Sequence, residues 1–91
     1  MPNKTALVTD ASDGIGAEFI QILASRGYDL ILVARSEDKL NQLAVKVGGQ
    51  FGVNCTVIVA DLSEPNAAQN LFQSIEEKGL DVDFLINNAG L

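Results

Sequence analysis

Between Lys4 and Ala24 the chain reads KTALVTDASDGIGAEFIQILA, and the residues there that could do chemistry are glycines and carboxylates. Ala6-Leu7-Val8 is a short apolar run of the kind that forms a buried strand. Small and acidic residues, Thr9 to Asp13, then turn the chain, and Gly14-Ile15-Gly16 opens an amphipathic helix. A strand, a glycine turn and a helix N-terminus in succession cradle a phosphate, because unpaired backbone N–H groups point outward there and the helix dipole favours negative charge. Asp10 and Asp13 place carboxylates where that phosphate would sit. At ~6 Å and an effective dielectric of ~20, one carboxylate costs a phosphate charge up to ~3 kcal/mol. Salt and water screen part of this, and half of it is about a tenfold loss of affinity. Two other readings stay open, one blander and one a rival chemistry. The pair are solvated loop residues favoured by the helix N-terminus, or they hold a hard cation such as magnesium, for which two loop carboxylates are a thin basis.

The elements that must position this turn follow from the apolar pattern. Strand one spans about Thr5 to Thr9 and, being almost wholly apolar, is expected to be buried on both faces, as in a parallel sheet. Helix one runs from about Gly14 to Arg26 with a stripe of Ile15, Phe19, Ile20, Leu23 and Ala24, and Gly27 suits the left-handed position that ends it. Strand two is Asp29 to Ala34. Ser36 is the expected N-cap of helix two, whose stripe is Leu40, Leu43, Ala44 and Val47, with Gly48-Gly49 as its break. Strand three is Cys55 to Ala60, closed by Asp61. Ser63 is expected to cap helix three with Pro65 in its first turn, its stripe being Ala68, Leu71, Phe72 and Ile75, and Gly79 stops it. Strand four is Asp83 to Ile86. Strictly alternating strands and helices with short turns mean right-handed crossovers and a parallel sheet, so the fold class is α/β, in a single domain over residues 1–91.

Composition excludes several functions. Six basic residues stand against twelve acidic ones with no basic run, which argues against a nucleic-acid surface or an anionic membrane. One cysteine and no histidine exclude an intrachain disulfide and a Cys/His metal site, and Cys55, inside an apolar run, is expected in the core. No apolar stretch approaches the ~18–20 residues of a membrane span. Met1-Pro2-Asn3-Lys4 leads straight into a strand without the regions of a signal peptide, so the expected location is cytoplasmic. At this length the chain buries ~60–65% of its unfolded surface, and its stability is expected to be marginal.

Three motifs then coincide. Thr9-Asp10-Ala11-Ser12-Asp13-Gly14-Ile15-Gly16 resembles the T-G-x-x-x-G-x-G loop of short-chain dehydrogenases/reductases. Asp61, after strand three, is similar to the aspartate that family uses near the adenine ring, and Asn87-Asn88-Ala89-Gly90 matches its N-N-A-G motif after strand four. The resemblance covers the whole chain but only about the first third of a typical member. It implies half of a doubly wound Rossmann sheet, four parallel strands in the order 3-2-1-4 with three helices. It also implies a dinucleotide site at Thr9, Ser12, Gly14, Ile15, Gly16, Arg35, Ser36, Asp61, Leu62, Asn88, Ala89 and Gly90. In the family the residue after strand two chooses between NAD and NADP. Here it is Arg35, followed by Ser36; a guanidinium fork suits a 2′-phosphate, so NADP is the implied cofactor. The plainer reading of Arg35 is a surface cation at a helix start.

The resemblance also departs from the family. Asp10 stands in place of the first glycine of the loop, at a turn whose unusual backbone angles aspartate tolerates better than most residues. Family chemistry needs Tyr-x-x-x-Lys with a serine upstream, the tyrosine exchanging a proton with the substrate oxygen. The only tyrosine, Tyr28, is followed four residues later by Leu32, so no catalytic residue carries over and Tyr28 is expected to be structural. The expectation is a truncated dehydrogenase/reductase half with weak or absent NADP binding, no metal and no catalysis of its own. Two alternatives remain: a non-enzymatic, self-associating interaction protein, and a fragment of an active NADP-dependent oxidoreductase. Strand 83–86 is expected to leave an apolar edge that draws a second copy of the chain.

Overall fold

The computed structural model describes residues 3–11 and 14–87, apart from the side chains of Gly14 and Ile15. Its elements are β1 (Thr5–Thr9), α1 (Gly14–Ser25), β2 (Asp29–Ala34), α2 (Glu37–Phe51), β3 (Cys55–Val59), α3 (Ala67–Glu77) and β4 (Phe84–Ile86). The four strands form one parallel sheet in the order β3-β2-β1-β4. This is the α/β half-Rossmann arrangement, with β1 in the interior.

Strand alternation divides the core in two. Ala6, Val8, Leu30, Leu32 and Ala34 face α1 and α2, where they meet Ile20, Ala24, Leu40 and Val47. Leu7, Ile31 and Val33 face the other way, against Leu71 and Ile75 of α3. Both faces of β1 and β2 are therefore covered, which is why their sequences are continuous apolar runs rather than alternating ones. Tyr28 has the structural role expected of it, its ring standing edge-on to Phe84 at 6.2 Å between centroids. Cys55 is half-buried, and burial together with the nearby Asp29 carboxylate pushes its thiol above the usual range, away from nucleophilic use.

Several boundaries differ from the sequence reading. Helix two does not break at Gly48-Gly49. It continues to Phe51 and ends where Gly52 adopts φ 69°, its N–H bonding the Gly48 carbonyl at 2.9 Å. A helical glycine costs only ~1 kcal/mol, and Phe51 and Val53 pack against the first core cluster, which offsets that cost. Ser36 does occupy the N-cap position, but its hydroxyl makes no cap bond. Helix three begins at Ala67, not near Ser63. The Ser63 N–H and hydroxyl are both committed to Asp61, and Pro65 lies in the turn that follows; the helix starts only after Asn66, at φ 64°. Gly27 and Gly79 are left-handed, at φ 87° and 68°, as their positions after helices one and three require.

The predicted stripes were also too wide. Phe19 and Phe72 are 40% and 54% exposed, and Ala68 is exposed. Each helix touches the sheet through a narrow line, Ile20–Ala24 or Leu71–Ile75, and these residues fall to either side of it. Helix one ends one residue early, at Ser25, strand three ends at Val59, and strand four begins at Phe84.

The extended helix two gives a test with opposite signs. Gly49, in the helix with open space around a would-be Cβ, is expected to stabilise the fold by about 0.5–1 kcal/mol on replacement by alanine. Gly52→Ala, at a positive φ, is expected to destabilise it by about 1 kcal/mol. Urea denaturation of the two variants measures both; destabilisation by Gly49→Ala would contradict a helix through Phe51.

Candidate functional site

A cleft of about 500 Å³ opens at the carboxyl ends of the strands. Each strand delivers a residue to it: Asp10 after β1, Arg35 after β2, Asp61 and Leu62 after β3, and Asn87 after β4. This is where an open parallel sheet places a ligand, beside the strand at which the chain order reverses. Here that strand is β1, since β2 and β3 lie on one side of it and β4 on the other.

Local bonding sets the walls. Ala11 is fully buried and its N–H donates to the Val33 carbonyl at 3.1 Å, which pins the turn after β1 across the end of β2. Asp10 precedes it at φ 52°, the left-handed conformation for which a glycine is the easiest occupant and aspartate a tolerated one. Thr9 is 4% exposed, and its hydroxyl lies 3.0 Å from Asn87 Oδ1 and 3.4 Å from the Ile86 carbonyl oxygen. That threonine therefore joins the ends of β1 and β4 beneath the cleft.

Asp61 is held by its own turn. Its Oδ1 accepts from the Ser63 hydroxyl at 2.6 Å and from the Ser63 N–H at 3.0 Å. These two bonds, with a smaller contribution from the Arg35 charge, hold the carboxyl below the usual aspartate range. Asp61 thus presents a fixed, ionised acceptor on the side of the cleft where Arg35 supplies a cation.

Of the residues expected from sequence, Arg35, Asp61 and Leu62 come together in the cleft. Thr9 lies under it, Gly14, Ile15 and Gly16 form the start of α1, and Ser36 sits at the start of α2 without lining the cleft. Ser12, Asn88, Ala89 and Gly90 lie outside the described residues, as does Asp13. Sequence reasoning missed Ser63 and Ala68, as well as the strand-end residues Val33, Ala34 and Ala60, and it left Asn87 of the N-N-A-G motif out of the site. The Asp-x-Ser spacing of 61 to 63 was a signal for the first, since aspartate commonly turns the chain onto an N–H two residues on; Ala68 carries none.

The family description of the short chain dehydrogenases matches residues 4–91. The chain belongs to that family. The short-chain dehydrogenase chain is 42% identical over 90 residues to a very-long-chain 3-oxoacyl-CoA reductase of Phaeosphaeria nodorum, an alignment covering 94% of this chain and 26% of that protein. Among solved structures it is similar to L-sorbose reductase of Gluconobacter frateurii complexed with NADPH and L-sorbose, with a TM-score of 0.89 and 31% identity over 100% of this chain and 35% of the other. It is also similar to a short-chain dehydrogenase of Sphingobium yanoikuyae in complex with NADPH, with a TM-score of 0.83 and 39% identity, covering 97% of this chain and 34% of the other. The chain thus spans about a quarter to a third of the length of these relatives. Among the described residues, no helix is long and apolar enough to cross a membrane.

The Asp61 turn has a titration consequence. A carboxyl held low in the folded chain contributes stability that is present above the ordinary aspartate range and is lost as pH falls through the folded-state value. Ser63→Ala removes the larger of the two bonds, so the Asp61 carboxyl is expected to titrate closer to the ordinary range. Carboxyl ¹³C shifts followed against pH measure this; an unchanged midpoint would show that Ser63 does not set it.

Proposed function

We propose that this chain forms the NADP(H)-binding half of a short-chain dehydrogenase/reductase, with an affinity lowered by the acidic residues of its glycine turn. The observation that carries the reading is the meeting of Arg35, Asp61 and Asp10 around one cleft at the carboxyl ends of the strands. The residues there fit a nucleotide. Arg35, exposed at the end of β2, would hold the 2′-phosphate with its guanidinium fork. Asp61, already ionised and oriented by Ser63, would accept from an amino group of the adenine. Thr9, Gly14, Gly16 and the start of α1 would shape the pyrophosphate side. The NADPH of the two similar structures supports the same choice of cofactor.

Asp10 works against this fit. It sits on the cleft with its backbone already in the glycine conformation, so the turn is preserved while a negative charge is added. Asp13 would add a second. The bound cofactor would supply or accept a hydride. In this reading these 91 residues contribute its binding surface only, because the proton-exchanging Tyr-x-x-x-Lys of the family has no counterpart among them.

NADPH fluorescence titration tests this reading. Asp10→Gly with Asp13→Ser is expected to tighten binding at least about tenfold. Arg35→Ala is expected to weaken NADPH about tenfold or more while leaving NADH nearly unchanged. If the double reversion binds no better, charge is not the obstacle; if neither form binds at any concentration, the cofactor reading falls.

A further inference from the structure

We propose that the cleft also takes an adenine nucleoside without phosphate, with Asp10 accepting from the ribose hydroxyls. The inference rests on the adenine role given to Asp61 in the proposed function and adds a ligand to that site. Asp10, Arg35 and Asp61 follow β1, β2 and β3 and line the same cleft.

The turn after β1 puts Asp10 where a ribose acceptor belongs. The Ala11 N–H bonds the Val33 carbonyl at 3.1 Å, so the residue before it is drawn to the end of β2. In a dinucleotide fold a carboxylate at that strand end holds the ribose hydroxyls. Here the end of β2 is followed by Arg35 and Ser36. A guanidinium only donates and cannot accept from a hydroxyl, and Ser36 does not line the cleft. Asp10 is the acceptor that the second strand lacks, delivered instead from the first. Its carboxylate is also uncommitted. Asp29, Asp61 and Asp83 each accept from a backbone N–H, whereas Asp10 is exposed and makes no hydrogen bond or ion pair among the described residues.

The charges lining the cleft choose between ligands. Two carboxylates, Asp10 and Asp61, stand against one guanidinium. A phosphate gains from Arg35 and loses to Asp10. A nucleoside has no charge to repel, and it offers donors where the cleft has acceptors: ribose hydroxyls for Asp10 and the adenine amino group for Asp61. Ser63 holds Oδ1 of Asp61, which leaves Oδ2 for that amino group. Val33, Ala34, Leu62 and Ala68 give the cleft apolar walls for a base, and its 500 Å³ suits a small molecule.

Amide chemical-shift titration of the chain with adenosine, 2′,3′-dideoxyadenosine and NADPH tests this. Adenosine is expected to bind at millimolar concentration, about fivefold tighter than its dideoxy analogue. Asp10→Gly is expected to weaken adenosine about fivefold, to the level of the analogue, while tightening NADPH, so one substitution moves the two ligands in opposite directions. Asp10→Asn keeps an acceptor and suits the same backbone; it is expected to tighten NADPH and to retain the preference for adenosine over dideoxyadenosine. The proposal is overturned if adenosine leaves the cleft amides unmoved, if the two nucleosides bind alike, or if Asp10→Gly leaves adenosine affinity unchanged. A gain in NADPH affinity on Asp10→Gly would keep the cofactor reading even then. Conversely, adenosine behaving as expected while NADPH binds none of the three forms would remove the cofactor reading and leave the nucleoside site standing.

Discussion

Everything at the candidate site depends on the burial of β1 between β2 and β4. Ala6, Leu7 and Val8 are fully enclosed, and the two faces of the strand are covered by different helices. Right-handed crossovers then leave little choice. The path through α1 and α2 steps outward from β1 to β2 and β3 over one face, so the path through α3 must return over the other face to the far side of β1. The chain leaving β1 for α1 and the chain leaving β3 for α3 consequently turn toward opposite faces, and the cleft lies at the carboxyl ends of the strands beside them. Thr9 is the point where this geometry meets polar chemistry, its nearly buried hydroxyl engaging the residues that end β4.

The aspartates at the strand ends divide by the end of the sheet they occupy. At the amino ends of the strands, Asp29 accepts from the Asn54 N–H at 3.0 Å and Asp83 from the Thr5 N–H at 2.9 Å, so these carboxylates fasten strand starts together. At the carboxyl ends, Asp61 is fastened by Ser63, and Asp10 lines the open cleft. A carboxylate that satisfies a backbone N–H contributes to the fold; one placed in an anion cradle subtracts from binding. The same side chain thus stabilises one end of the sheet and, in the proposed function, weakens the other.

The strands and their order were legible in the sequence because burial on both faces writes itself as unbroken apolar runs, and because three motifs fell on the ends of three strands. Helix boundaries were legible at the starts of helices one and two, at Gly14 and the Ser36 N-cap position, and where a left-handed glycine was needed, as at Gly27 and Gly79. Gly48-Gly49 misled because glycine lowers helix propensity only modestly, and the buried packing around Val47, Phe51 and Val53 outweighs it. Ser63 misled because a hydroxyl two residues after an aspartate has a nearer partner than a helix end. Phe19 and Phe72 were assigned to the core on helical spacing, which fixes a face to within a residue but not how wide a strip the neighbouring sheet covers. At the site, Arg35, Asp61 and Leu62 were found through their places after strands; Ala68 was not, since its presence there follows from where α3 begins.

Amide chemical-shift mapping during NADPH titration tests the central claim most directly, since it reads weak binding residue by residue. The account predicts saturable shifts at Ala11, Arg35, Asp61, Leu62, Ser63 and Asn87, at millimolar rather than micromolar cofactor, with Asp29, Asn54 and Asp83 at the opposite end unmoved. Shifts centred on that opposite end, or saturation at low micromolar NADPH with Asp10 and Asp13 in place, would contradict it.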